Sequence, residues 1–127
     1  MSNNTSTSIK KYDIHERIYK FIVEIIKLIN LLSKTPSNQV IIPQILRSAT
    51  SMGANDQEAD GSLTKKDFIH CYTIVRKEGK ETSFWLSLVR DINSSSLIKS
   101  SADKLILEDK EIIAILSTII NKTRLHN

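Results

Sequence analysis

Residues 14–32 read IHERIYKFIVEIIKLINLL and carry the strongest structural signal in the sequence. Apolar side chains recur there at alternating spacings of four and three, which places them along one side of an α-helix. This row is Ile14, Ile18, Phe21, Ile25, Leu28 and Leu32, and beside it lies a second row, Ile22, Ile26 and Ile29. The two rows make the apolar face wider than one neighbouring helix covers. The helix is therefore predicted to pack against two surfaces.

Three further segments show helical periodicity along the rest of the chain. Pro36 biases Thr35 away from helical torsions and ends the first helix, whereas Pro43 is expected in the first turn of the second. Gly61 and the spacing of Thr64 and Asp67 mark the next turn. The helices are predicted at about residues 13–33, 40–60, 64–92 and 103–123 of a single domain at 12–126, after a disordered polar tail at 1–11.

Composition favours the all-α class. Three glycines and two prolines among 127 residues are too few for a sheet of many strands, and the length suits one domain. Short links between four helices of similar length make neighbouring helices antiparallel. The predicted architecture is an antiparallel up-down-up-down four-helix bundle.

Several classes of protein do not fit the sequence. The first residues lack the pattern of a secretory signal, and no apolar run is long enough to cross a membrane. The one cysteine, Cys71, lies on an apolar helix face and cannot form an intramolecular disulfide, which favours the reducing cytoplasm. Phosphate-binding and nucleophile motifs are not found. We expect neither enzymatic activity nor a cofactor.

A polar stripe on the second helix faces charged residues of the third. Glu78 and Glu81 would repel each other unless Arg47, Lys77 or a neighbouring subunit supplied positive charge. The sequence therefore predicts a structural ion-pair network or subunit interface formed by Arg47, Asn55, Glu58, Lys77, Glu78, Glu81 and Trp85.

A metal site is the alternative for the same glutamates, since Glu58, Glu78 and Glu81 could converge as carboxylates do in di-iron bundles. Those sites also use a histidine three residues after a glutamate on each of two helices. None of the three histidines of this chain stands in that position. We therefore predict no metal ligands.

Basic residues recur on the outer side of the first helix, and the chain has a net charge of +4. The stripe consists of Lys10, Arg17, Lys20, Lys27 and Lys34. Such a stripe could follow nucleic-acid phosphates, and copies around a ring would add through multivalency. Glu16 and Glu24 interrupt it, and an ordinary solvated face has the same pattern. Contact with nucleic acid remains the alternative.

The sequence also resembles a known family. Residues 42–89 read IPQILRSATSMGANDQEADGSLTKKDFIHCYTIVRKEGKETSFWLSLV, and residues 12–32 read YDIHERIYKFIVEIIKLINLL. These stretches are similar to the bacterial four-helix-bundle proteins first noticed inside intervening sequences of large-subunit ribosomal RNA genes. Residues 46–55 and 77–82 are the most specific parts. Asp56 and Gly79 depart from the pattern, in which an apolar or aromatic residue and an alanine are more usual.

The resemblance implies a bundle that assembles into a homopentameric ring. A related branch, the accessory proteins of diversity-generating retroelements, shares the pentameric barrel and binds nucleic acid and a reverse transcriptase. From the resemblance we expect a non-catalytic, self-assembling scaffold or adaptor, with itself and an unidentified protein as partners. The alternative is a basic ring that binds RNA or DNA.

Overall fold

The computed structural model describes residues 13–126, which form four α-helices and contain no β-strand. These are α1 (Asp13–Ile29), α2 (Pro36–Asp60), α3 (Lys65–Ile92) and α4 (Ser96–Leu125). α1 contacts α2 and α4, and α3 contacts the same two helices, so the four form one bundle. The predicted all-α class is confirmed. The predicted tail at 1–11 lies outside the described residues.

The apolar face of α1 lies in the core of this bundle. Every member of its first row is buried: Ile14, Ile18, Phe21, Ile25, Leu28 and Leu32. In the second row, Ile29 is buried, Ile22 packs partly buried against the core and Ile26 stays exposed. Because α2 and α4 both contact α1, its wide face has the two neighbours that the periodicity predicted.

α2 begins at Pro36, four residues before the predicted start. The Thr35 side chain accepts a hydrogen bond of 3.1 Å from the Asn38 amide, which caps the helix. Pro36 then occupies the first turn, where its missing N–H costs nothing. Pro43 consequently lies inside the helix, so placing it in the first turn was wrong. Its side chain is exposed, and the break in the hydrogen-bond ladder faces away from the core.

The ends of α1 and α4 also differ from the predicted bounds. α1 ends at Ile29 instead of 33, because Leu31 and Leu32 donate to carbonyls three residues back and tighten the chain into turns. α4 begins at Ser96 instead of 103. The Ser95 hydroxyl caps it by accepting from the Ile98 amide at 3.2 Å. Residues 96–102, which lie between the third and fourth predicted helices, thus form the first two turns of α4.

Small side chains in the middle of α2 allow its neighbours to approach closely. A Cβ atom at Gly53 would lie 2.8 Å from Cδ1 of Ile22 on α1. On the side of α3, the buried hydroxyls of Ser48 and Thr82 lie 2.8 Å apart and share a hydrogen bond. The helical cost of a mid-helix glycine, about 1 kcal/mol, is therefore offset by contact with α1.

Charged residues interrupt the apolar stretches of the four helices. A segment that crosses a bilayer needs about 18 or more apolar residues in succession. None of the helices among residues 13–126 meets that requirement.

Gly53→Leu should lower the free energy of unfolding by about 1 kcal/mol, because the added atoms must displace the Cδ1 end of Ile22, a cost that the higher helix propensity of leucine partly offsets. Ala54→Leu is the matched control, since Ala54 is exposed on the same helix and the change should cost less than about 0.5 kcal/mol. Urea denaturation of both variants measures the difference. Equal losses at the two positions would contradict a close approach of α1 to α2 at Gly53.

Candidate functional site

Arg47 of α2 reaches across to two carboxylates of α3. Its Nη1 lies 3.3 Å from Oε1 of Glu78, and its Nη2 donates to Oε2 of Glu81. The same Glu81 oxygen accepts a hydrogen bond of 2.9 Å from Nε1 of Trp85. These four residues of the predicted network are thus in contact, and we call them the Arg47 group. The guanidinium offsets the repulsion between the two glutamates.

The other three residues of the predicted network lie apart from this group. Asn55 donates to the carbonyl of Ser51 on its own helix at 3.0 Å. Glu58 and Lys77 are exposed and form no ion pair among residues 13–126. Because Arg47 holds Glu78 and Glu81 while Glu58 stands elsewhere, the three glutamates do not converge. Within the same residues, no group of three or more His, Cys, Asp or Glu side chains could hold a metal ion.

Arg17, in the predicted basic stripe, is held by two carboxylates of α4. Its Nε and Nη2 donate to Glu108 at 3.0 and 2.7 Å, and Nη2 also donates to Glu111 at 2.9 Å. The hydrogen bonds that the guanidinium donates to these two carboxylates raise the pKa of Arg17 above its ordinary value. The guanidinium therefore joins α1 to α4, and its donors are engaged inside the chain.

The lysines of the stripe also lie close to acidic partners. Nζ of Lys20 is 3.7 Å from Glu16, and Nζ of Lys27 is 3.3 Å from Glu24. Lys34 is exposed, and Lys10 lies outside the described residues. The residues that interrupt the stripe in the sequence thus offset part of its charge in space.

Lys20 and Lys27 also border a groove of about 540 Å³ between α1 and α4, which we call the α1–α4 groove. Its apolar wall comprises the buried Phe21, Leu28 and Leu105 and the exposed Leu31. Lys104, Glu24 and Glu108 complete the lining together with Ser101. An apolar groove with charged edges suits an amphipathic helix better than a bare polyanion.

The buried carboxylate of Asp56, on α2, joins three helices through contacts with His15 and Tyr72, which the sequence did not predict. We call these three residues the Asp56 cluster. Asp56 is only 1% exposed. Nδ1 of His15, from α1, lies 2.8 and 2.9 Å from its two oxygens, and the Tyr72 hydroxyl, from α3, donates to Oδ1 at 2.9 Å. The available signal was an acidic residue at a core position of α2, which must find hydrogen-bond donors when buried.

The cluster places His15 and Tyr72 against the same carboxyl group. Nδ1 of His15 faces both oxygens of Asp56, and its Nε2 lies 3.7 Å from Oδ1 of Asp60. Burial and the negative charge of Asp56 raise the pKa of Tyr72 well above its ordinary value, which keeps the phenol protonated. His15 and Tyr72 therefore tie α1 and α3 to α2.

Nucleophilic catalysis at this cluster would need a nucleophilic side chain beside the histidine. A mostly apolar cavity of about 380 Å³ adjoins His15 and is also lined by Thr50. The Thr50 hydroxyl already donates to the carbonyl of Leu46 at 2.6 Å. Cys71 is buried elsewhere, and burial raises the pKa of its thiol, which makes it a poor nucleophile. The geometry favours a structural role for the cluster.

Tyr72→Phe should lower the free energy of unfolding by about 1.5–3 kcal/mol, because it removes a donor from a buried carboxylate while leaving the ring in place. Tyr19→Phe is the matched control, since Tyr19 is exposed and its change should cost less than about 0.5 kcal/mol. Thermal or urea denaturation compares the two variants. A Tyr72→Phe protein as stable as the control would show that Asp56 does not depend on this hydrogen bond.

The chain is similar to a solved structure from Bacteroides thetaiotaomicron, described as a protein of unknown function from the S23 ribosomal protein family. The two sequences are 32% identical, and the match covers 84% of this chain and 97% of that one. The TM-score of 0.75 shows that the two chains also share their fold over the matched part. No curated protein sequence matches the chain significantly.

Residues 10–118 match the family described as 23S rRNA-intervening sequence protein. The match begins before α1 and extends into α4, so it contains the Arg47 group, the Asp56 cluster and the α1–α4 groove. The chain therefore belongs to the 23S rRNA-intervening sequence protein family.

Proposed function

We propose that this protein is a non-catalytic, self-assembling scaffold of the cytoplasm. In this proposal, antiparallel four-helix bundles join into a homopentameric ring that presents a repeated surface to a protein partner. The observation that carries the proposal is an exposed apolar surface on α2 and α3, beside the Arg47 group.

Side-chain pairs between the helices support the antiparallel arrangement. Along α2 and α3, the pair Ser48 and Thr82 is followed by Asp56 and Tyr72, so residue numbers rise on one helix as they fall on the other. Between α3 and α4, contacts follow the same order: Arg76 with Ser117, Ser83 with Asp109, and Arg90 with Asp103. The three short connections agree with this order.

The apolar surface consists of side chains that the bundle itself does not use. Val40, seven residues before Arg47 and so on the same side of α2, is 63% exposed. On α3, Phe84 is 55% and Ile92 48% exposed, and the partly buried Leu88 lies between them at a spacing of four. We call these four residues, with Arg47 and Trp85, the α2–α3 face. Grouped exposed apolar side chains mark interaction sites on soluble proteins.

Trp85 gives this face a rigid centre. Its ring packs edge-to-face against Phe84 at a centroid distance of 4.9 Å, and its Nε1 is held by Glu81. Arg47 in turn holds Glu81 from α2. Tryptophan and arginine are the residues that most often dominate binding energy at protein interfaces. An aromatic side chain already fixed by its neighbours loses little conformational entropy when a partner covers it.

A ring of more than two copies joins two different surfaces of each copy. The α2–α3 face and the α1–α4 groove are two such surfaces, since they are formed by different pairs of helices. The groove presents apolar side chains, which suit the exposed apolar side chains of the α2–α3 face.

Nucleic-acid binding has less support from the same side chains. Arg17 is engaged by Glu108 and Glu111, and Lys20 and Lys27 each lie near a glutamate. Binding to phosphates would require these ion pairs to open, which reduces the electrostatic gain. We therefore favour the protein scaffold over the basic ring.

We predict that light scattering of the wild-type protein gives a mass about five times that of the 14.4 kDa chain. Trp85→Ala and Phe84→Ala should lower this mass, because they remove the centre of the α2–α3 face. Arg47→Glu should do the same by placing a third carboxylate beside Glu78 and Glu81.

The controls separate loss of assembly from loss of folding. Leu125→Ala changes an apolar residue that is 79% exposed at the end of α4, and it should leave the mass unchanged. Circular dichroism checks that each variant remains helical. A monomeric wild-type protein would contradict the proposed assembly outright.

In a gel-shift assay with RNA and DNA probes at low salt, the wild-type protein should cause no shift, because most of the described stripe is paired with carboxylates. A shift that weakens steeply as salt is added would support the nucleic-acid alternative instead. In that case Lys34→Gln should weaken binding, whereas Lys122→Gln, on α4, serves as the matched control.

A further inference from the structure

Asp109 of α4 is a carboxyl group sealed inside the bundle. It is 0% exposed. Oδ2 accepts a hydrogen bond of 2.6 Å from the Ser83 hydroxyl of α3, whereas Oδ1 has no hydrogen-bond partner among residues 13–126. An ionised carboxylate can accept several hydrogen bonds, so this site leaves it poorly satisfied. The surfaces proposed above for assembly and partner binding do not include this group.

Gly79 of α3 makes the space for this side chain. A Cβ atom at Gly79 would lie 3.2 Å from Oδ1 of Asp109 and from Cγ1 of Ile113, and 3.3 Å from Cε of Met52. Oδ1 therefore lies beside the bare backbone of α3 at Gly79, a point that apolar atoms of α2 and α4 also approach closely. Surroundings of this kind solvate a neutral acid far better than an anion.

The charged groups nearest to Asp109 do not compensate a negative charge. Glu108, the preceding residue on α4, is itself acidic and holds Arg17 of α1. The arginines of α3 that face α4 are also engaged elsewhere: Arg76 with Ser117, and Arg90 with Asp91 and Asp103. From α2 the contact is Met52, which carries no charge.

We propose that Asp109 is a pH-sensitive element of the fold: the bundle holds it as a neutral acid between α3 and α4, and its ionisation weakens the packing of these two helices. A neutral acid has no charge to be solvated in this apolar site, and its Oδ2 keeps the hydrogen bond from Ser83.

The direction of the pH effect follows from the environment of the group. Burial raises the pKa of Asp109 to about 7, and the charge of Glu108 adds to the rise while the hydrogen bond from Ser83 opposes it. In the unfolded chain an aspartic acid ionises near pH 4, about three units lower. The contribution of the neutral Asp109 to the free energy of unfolding is therefore complete below about pH 4. It is lost as the pH rises towards about 7, and it changes little above that.

Urea denaturation of the wild-type protein and of Asp109→Asn between pH 4 and 8 tests the proposal. Asparagine has the shape of the neutral acid but does not ionise. The folding equilibrium constant of the wild type, divided by that of the variant, should fall about tenfold for each pH unit between about 4 and 7. A ratio that stays constant over this range would overturn the proposal.

Asp103→Asn is the matched control on the same helix. Asp103 is exposed and pairs with Arg90, so the corresponding ratio should not fall between pH 5 and 7. An equal fall for both variants would mean that the effect does not belong to the buried site.

A direct titration covers the case in which Asp109→Asn fails to fold. Carbon NMR of the wild-type protein, labelled at the aspartate carboxyl carbons, should show one aspartate that titrates near pH 7 while the exposed aspartates have already ionised. If every aspartate is ionised below about pH 5, the neutral acid does not exist and the proposal is wrong.

Discussion

The apolar face of α1 is too wide for one neighbouring helix, and most of the architecture follows from covering it. α1 packs against both α2 and α4, and this double contact closes the four helices into one bundle. Gly53 allows Ile22 to approach α2 closely, while Arg17 joins the outer side of α1 to α4. The α1–α4 groove and the Asp56 cluster both exist because α1 lies in this position.

Two carboxyl groups are buried in the bundle, and the chain accommodates them in different ways. Asp56 receives hydrogen bonds from His15 and Tyr72, which come from different helices, so burying it also fixes the position of α1 and α3. Asp109 receives one hydrogen bond from Ser83 and otherwise meets apolar atoms. The first arrangement favours a unique packing, and the second makes packing depend on a proton.

The outer surface has a charged region on α1 and an apolar region on α2 and α3. Much of the charge on α1 is matched by carboxylates of the same chain, which leaves less for a polyanion. Apolar and aromatic side chains remain exposed on α2 and α3 around an ordered tryptophan. These features are the reason why we propose contact with other proteins, including further copies of the chain, over contact with phosphates.

The sequence alone determined the helical class and the buried row of α1, and it left Arg47, Lys77 or a neighbouring subunit as the source of positive charge for Glu78 and Glu81. Each depends on regular spacing along a helix or on charges of opposite sign at matching positions. The starts of α2 and α4 were predicted too late, because the Thr35 and Ser95 caps lie in polar stretches that also suit a loop. Only the tertiary structure decided that Asp56 meets His15, 41 residues away, and that Oδ1 of Asp109 is buried beside Gly79 without a hydrogen-bond partner among residues 13–126. A buried polar residue needs partners, but which residues reach it depends on how the helices pack in three dimensions.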